Sequence, residues 1–567
     1  MPKPRRSPSL FHTADLVGAL VALLVGMFAL WPLPLDPAGL RVDGFFHDSH
    51  VWCLAHMADL FVGEADWTSR RIGFPYTAEL RFIGWAPAVL VAPFQDWLGA
   101  LGAYNLALLL SWPLAALVAS MLFRQLGARP LPAAAGGTVF AATPVTLGCL
   151  VAGQLAKIQH WTLALCLLAV VLAARRWRWL PAVPLAALAL GMTSPSYAMA
   201  FPLAVAFLVP AVALADKRVG PALRGGLAVG LVGAVFWSLQ AHYDPDLHHH
   251  TSGRVLAFAP NTGARAPELD ALHTMVAHLD TLVRGPILDT RGAGSQAQSF
   301  RYLGLPAVVI GAVALVARRG PVRLLGLAWL LTGAVLALGP WLSTQAGFVT
   351  THDLTGGGGG NYLALPATIL VEAAYPLARS GMYHRLLIIA GLGAGLLVSR
   401  FPRGIAWGLC TWVLVDLAIA TRPFLPVPVA PPPADALLHE LYSDGHMGAV
   451  LSMPLQVDDH GGGVHLMLST RHGRPTSALP RDLTRVPPTE FALGKLALAA
   501  EAPTPADARA LLKAAGYRYV LHIDGLDVRG PEPGRDALED LFGTPRCADD
   551  LCVWHMSPSP DADGQPW

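Results

Sequence analysis

Charge is what this sequence has least of. Only 14% of its 567 residues are Asp, Glu, Lys or Arg, against about 25% in soluble domains. With 54% hydrophobic residues and a mean hydropathy of +0.47, the deficit argues against a water-soluble globule and for a membrane protein. A net charge of +2 gives no polyanion-binding field, so nucleic acid is not expected as a partner. The P-loop, G-x-G-x-x-G, H-E-x-x-H and G-x-S-x-G patterns are all missing, which counts against soluble nucleotide chemistry. Cysteine is scarce, at six. Cys149, Cys166 and Cys410 lie in apolar runs and read as small core residues. Cys53 follows Trp52 with no obvious partner. Cys547 and Cys552 stand in a polar tail and fit a disulfide if that tail lies outside the cytoplasm.

Apolar runs are abundant. After a basic leader with Lys3, Arg5 and Arg6, the run 16–35 reads as an uncleaved first span with its N-terminus inside. Runs long enough to cross a bilayer, about 17–25 residues, follow at 102–123, 130–151, 158–174, 179–195, 198–215, 221–241, 301–317, 323–343, 384–399 and 404–421. The stretch 83–99 carries Pro87, Pro93, Gln95 and Asp96. If it stays at the outer interface, the clusters Arg124/Arg129, Arg175/Arg176/Arg178, Lys217/Arg218/Arg224, Arg318/Arg319/Arg323 and Arg400/Arg403 all fall on the cytoplasmic side. The positive-inside rule selects that arrangement. It predicts an α-helical polytopic membrane protein of about eleven spans, N-terminus in and C-terminus out. The membrane domain is 1–421, with outer loops 36–101, 242–300 and 344–383. A Pro-rich linker, 422–434, leads to a small extracytoplasmic α/β domain, 435–567. Strands are predicted at 448–453, 517–523 and 551–555, and helices at 435–442 and 504–515.

The outward loops hold the chemistry. Residues 42–56 (VDGFFHDSHVWCLAH) crowd Asp43, His47, Asp48, His50 and His56 around aromatics. Asp43 or Asp48 is the candidate base; a solvated loop carboxylate is the bland alternative. His47, Asp48 and His50 are weak candidates for metal ligands, short of a metal signature, and His248–His250 are another weak set. A divalent ion is therefore left open as cofactor. In GQLAKIQHW, Gln154, Lys157 and His160 interrupt apolar chain, so Lys157 either snorkels or binds a phosphate, with Gln154 or His160 on a head group. Arg379, Tyr383, His384 and Arg385 stand at the outer entry to the run 384–399, where an interfacial anchor or a phosphate contact would explain the positive charge of the arginines. In the tail, His465 and TRHGR (Thr470–Arg474), with Arg481 and Asp482, read as solvated surface or a glycan contact.

These short motifs, with Phe74-Pro75-Tyr76, Gly102-Ala103-Tyr104-Asn105-Leu106 and Ser194-Pro195-Ser196-Tyr197, resemble bacterial integral-membrane glycosyltransferases of the GT-C type, in the group of the protein mannosyltransferases and aminoarabinose transferases. The resemblance runs over most of residues 10–530. It implies a helix bundle in the bacterial inner membrane that moves a sugar from a polyprenyl-phosphate donor to an envelope glycan, lipid or protein. An acidic residue of the first outer loop would be base or metal contact, a role falling on Asp43 or Asp48. A non-catalytic envelope or lipid-handling protein on the same scaffold is the second reading. A transporter is the third, disfavoured because no paired broken spans appear and the ionisable groups sit at the outer boundary.

Overall fold

The computed structural model describes residues 9–43, 47–63, 84–151, 153–243, 302–316, 320–339, 383–422, 425–432, 435–444, 448–455, 459–478, 488–526 and 532–556, with stretches of one to three residues between them. The chain divides into two units, residues 1–34 with 108–427 and residues 35–107 with 428–567.

The first unit is helical. Helices occur at Thr13–Ala29, Pro130–Ala141, Pro144–Val151, Trp161–Arg175, Ala182–Thr193, Pro195–Asp216, Val219–Tyr243, Leu305–Val316, Pro321–Ala337, Leu387–Val398 and Arg403–Thr421. Each lies on an apolar run read from the sequence. Among the described residues five helical segments are long and apolar enough to cross a membrane: Trp85–Gln125, Pro130–Val151, Ser196–Asp216, Val219–Leu239 and Arg403–Thr421. The Trp85–Gln125 helix bends at Gly99 (φ 68°). That bend separates the stretch 83–99, which is helical from Trp85, from the run 102–123. A left-handed φ favours glycine at that position.

Two devices hold this unit. The first is a buried ion pair. Arg124 donates from Nε to Asp15 Oδ1 at 2.9 Å and from Nη2 to Asp15 Oδ2 at 2.6 Å. Its Nη1 and Nη2 also reach the Ser9 and Leu10 carbonyls. Asp15 additionally caps its own helix by accepting from the His12 N–H at 2.9 Å. The second device is close backbone approach. A Cβ at Gly395 would stand 2.5 Å from the Gly136 carbonyl oxygen. The Pro130–Ala141 and Leu387–Val398 helices therefore touch main chain to main chain, as small residues permit between membrane helices.

The second unit is α/β. Strands β1 (Ala449–Met453), β2 (Tyr517–Ile523), β3 (Arg546–Ala548) and β4 (Leu551–His555) form one sheet in the order β1-β2-β4-β3. β1 and β2 are parallel, and β4 runs antiparallel to both its neighbours. A parallel pair needs a long crossover, supplied by helices Asp459–His472, Pro488–Ala500 and Pro505–Ala514. The last of these is capped by Thr504, whose Oγ1 accepts from the Asp507 N–H. Leu451, Met453, Leu496, Leu512, Val520, Phe542 and Trp554 lie in one core cluster. Cys547 and Cys552 face each other in the β3–β4 hairpin and form a disulfide. Residues 35–107 join the tail through a two-residue ladder, Arg41–Val42 against Val429–Ala430, and through the His47–Val62 helix, which packs on Asp459–His472.

Candidate functional site

The aspartates of the first loop part company. Asp43 is exposed, and its N–H donates to the Pro428 carbonyl at 2.8 Å. Asp48, in the first turn of the His47–Val62 helix, is 1% exposed. Arg41, from the short ladder just before that helix, pairs with it at 2.5 Å. A carboxylate taken out of water requires such a partner. The neighbouring His47 is also buried; its Nδ1 lies 2.5 Å from the Tyr104 hydroxyl. Asn105 fixes the loop before the helix by donating to the Pro37 and Leu40 carbonyls, each at 2.7 Å. The arrangement is therefore a buried, oriented carboxylate in a rigid polar setting. His50 is half-buried on the same helix. Among the described residues no group of three or more His, Cys, Asp or Glu is placed to hold a metal ion.

In the first unit, Arg385 is the centre of the second set. It lies in the turn Tyr383–Leu386 and is 9% exposed. Its Nη1 donates to Ser196 Oγ at 2.8 Å and its Nη2 to Gln154 Oε1 at 3.3 Å. Both acceptors are neutral, and among the described residues the guanidinium Nε has no hydrogen-bond partner. Ser194, which precedes the Pro195–Asp216 helix, has a buried hydroxyl that also lacks one there. Tyr197 Oη donates to the Lys157 carbonyl at 2.5 Å, tying the short Leu155–Ile158 helix to the Ser194–Tyr197 turn. Gln154, Ser196 and Arg385 come together; the Lys157 side chain is half-buried. Tyr383 is buried beside Arg385 in sequence. His160 is fully buried, its Nδ1 2.7 Å from the Ile158 carbonyl and its ring 4.8 Å from Phe140. Arg379 and His248–His250 lie outside the described residues.

In the tail, His465 and, within the TRHGR segment, His472 and Arg474 are buried rather than solvated. Arg474 lies over the Tyr519 ring at 4.6 Å and donates to the Leu441 carbonyl at 2.7 Å. Its planar fork satisfies backbone acceptors, which is why a basic residue is found inside. His472 and His465 are 1% and 2% exposed. Burial pulls the His465 pKa down to about 4, with the His522 charge adding to the effect and the Pro454 carbonyl opposing it. Burial, then Arg474 and His465, pull His472 down to about 3. Arg481 and Asp482 lie outside the described residues. Arg41 and Ser196 carried no local motif for these partnerships in the sequence, since their partners lie seven and 189 residues away.

The chain thus combines an apolar helical unit, which holds the buried Arg385, with an α/β unit, which holds the buried Arg41–Asp48 pair. It belongs to the family described as Domain of unknown function (DUF6311), whose model matches residues 68–352. No curated protein matches the sequence. Among solved structures, the chain is similar to the oligosaccharyltransferase AglB from Archaeoglobus fulgidus in complex with an inhibitory peptide and a dolichol-phosphate, with 11% identity, TM-score 0.47, and coverage of 90% of this chain and 69% of that one. It is also similar to ArnT from Cupriavidus metallidurans in the apo state, with 14% identity, TM-score 0.39, and coverage of 96% and 98%. ArnT bound to undecaprenyl phosphate aligns at 13% identity and TM-score 0.39, covering 98% and 100%.

Proposed function

We propose that the protein is a membrane glycosyltransferase that takes a sugar from a polyprenyl-phosphate donor and passes it to an acceptor outside the cytoplasm. The observation that carries the reading is Arg385, a buried guanidinium whose described partners, Ser196 and Gln154, are both neutral. A buried cation is costly without an anion, and the guanidinium fork suits phosphate oxygens. Asp48 is assigned the acid–base role in preference to Asp43, because it is buried and oriented by Arg41. The Cys547–Cys552 disulfide supports an extracytoplasmic tail, and the five basic clusters support the N-in, C-out arrangement of about eleven spans in a bacterial inner membrane.

The test is binding and turnover with the purified full chain. Arg385→Gln is expected to weaken retention of a polyprenyl phosphate at least tenfold, and Asp48→Asn to abolish sugar transfer while leaving that retention intact. Unchanged retention in Arg385→Gln overturns the phosphate assignment, and full transfer by Asp48→Asn overturns the base. One observation favours a second reading, a lipid-handling protein without turnover. Asp48 is already engaged by Arg41, as a structural ion pair would be. Tight lipid-phosphate binding with no transfer to any envelope fraction would select it.

A further inference from the structure

Asp416 stands within the apolar Arg403–Thr421 helix, and no described residue gives it a hydrogen bond or an ion pair. Across from it, Tyr302 is 2% exposed, and its hydroxyl has no hydrogen-bond partner among the described residues. Gly304 (φ +88°) keeps the space between them open. A Cβ there would stand 2.8 Å from Asp416 Oδ2 and 3.6 Å from the Tyr302 ring. The two residues line a cavity of about 30 Å³ whose other walls include Val139, Leu303, Pro306 and Leu387. Thr143, also on the wall, is hydrogen-bonded to Thr146.

An ionisable residue within a membrane segment is expensive and marks a functional site by default. Here a carboxylate and an orphaned phenol oxygen converge on a small space in apolar surroundings. The room is that of roughly two water-sized groups, enough for an ammonium and the first methylene of its chain. Both polar atoms can accept N–H bonds, and the carboxylate supplies the opposite charge. The depth agrees. Asp416 is five residues before the end of its helix, roughly 7.5 Å along the axis at 1.5 Å per residue, and Tyr302 lies just before the Leu305–Val316 helix. Asp416 is therefore in the C-terminal half of its helix, and Tyr302 lies just before the start of its own, so a lipid head group could reach both from that side. We infer that Tyr302 and Asp416 form a binding site for the primary ammonium head of a membrane lipid. A trimethylammonium head is too large for the cavity and has no N–H to donate, so the site distinguishes ethanolamine from choline lipids. It does not depend on the glycosyltransferase reading.

The experiment is native mass spectrometry of the purified full chain with phosphatidylethanolamine and its mono-, di- and trimethylated forms at equal concentration. Retention is expected to fall stepwise with methylation, at least tenfold from first to last. Asp416→Asn and Tyr302→Phe are expected to flatten the series while retaining the wild-type melting temperature. Equal retention of ethanolamine and choline lipids by the wild type overturns the site, whatever the variants do. So does an Asp416→Asn protein that keeps the wild-type preference. Displacement of the lipid by soluble ethanolamine at the same concentration overturns the lipid as ligand in favour of a free amine.

Discussion

The Arg124 guanidinium grips both carboxylate oxygens of Asp15, at 2.9 and 2.6 Å, across 109 residues of chain. Ser120 adds a third bond, Oγ to Oδ1 at 2.6 Å. Both partners are buried, at 0% and 3% exposure. Removing one charge strands the other, which typically costs about 3–5 kcal/mol. Arg124→Met is therefore expected to lower the melting temperature of the detergent-solubilised protein sharply. The double variant Asp15→Leu/Arg124→Met should recover much of the loss, because no lone buried charge remains. A single variant that melts like the wild type would show that the pair contributes nothing to stability.

The Arg41–Asp48 pair makes a different prediction. If Asp48 is functional, restoring stability does not restore activity. Arg41→Gln is expected to destabilise the protein, because it takes a positive charge away from a buried carboxylate. Adding Asp48→Asn should relieve that instability while leaving sugar transfer at background. The measurement pairs a melting curve with a transfer assay on the same preparations. Transfer returning with stability would reduce Asp48 to a structural residue.

The helices of the first unit were legible because crossing length and composition are one-dimensional signals; each apolar run from 16–35 to 404–421 carries a helix. Strands 448–453 and 517–523 were legible for the same reason, as β-branched runs. Arg41 was not legible as a partner of Asp48. A seven-residue spacing across a strand–helix junction follows neither the helical nor the strand period. The interior fate of His465, His472 and Arg474 was also hidden. Polar composition says surface, and only tertiary structure shows these groups inside, with Arg474 against Tyr519 and the Leu441 carbonyl and one ring nitrogen of His465 near the Pro454 carbonyl. Nor did any local feature announce that residues 35–107 group with the tail, since the contacts that join them, among them a two-residue ladder, the Ile72–Thr476 bridge and a helix pair, link segments hundreds of residues apart.

Helix contact through glycine is a third target. A side chain at Gly395 would collide with the Gly136 main chain, so Gly395→Val forces the two helices apart. The expected result is a large fall in melting temperature. Gly230, on the Val219–Tyr243 helix, has nothing within 4 Å of the point where a methyl group would stand. Gly230→Ala should instead be neutral or stabilising by about 0.5–1 kcal/mol, the usual gain of Ala over Gly within a helix. If both substitutions behave alike, close backbone approach is not what holds the bundle at that point.

The buried histidines of the tail set an acid limit on the second unit. His465 and His472 are held neutral, with pKa values drawn down by burial to about 4 and about 3. In the unfolded chain each returns to about 6.5. Between those values the unfolded state binds more protons, so stability rises with pH. The contribution is fully present above about pH 6.5 and is lost as pH falls through about 4 to about 3. At about 1.4 kcal/mol per pKa unit, the two together contribute several kcal/mol. Proteolysis of residues 435–556 in the intact protein is therefore expected to accelerate steeply between pH 6 and pH 4, with an acid-tolerant protease as probe. His465→Gln should flatten that dependence, since the amide keeps a hydrogen-bonding group near the Pro454 carbonyl but does not titrate. A profile as steep in His465→Gln as in the wild type would move the acid sensitivity to other groups.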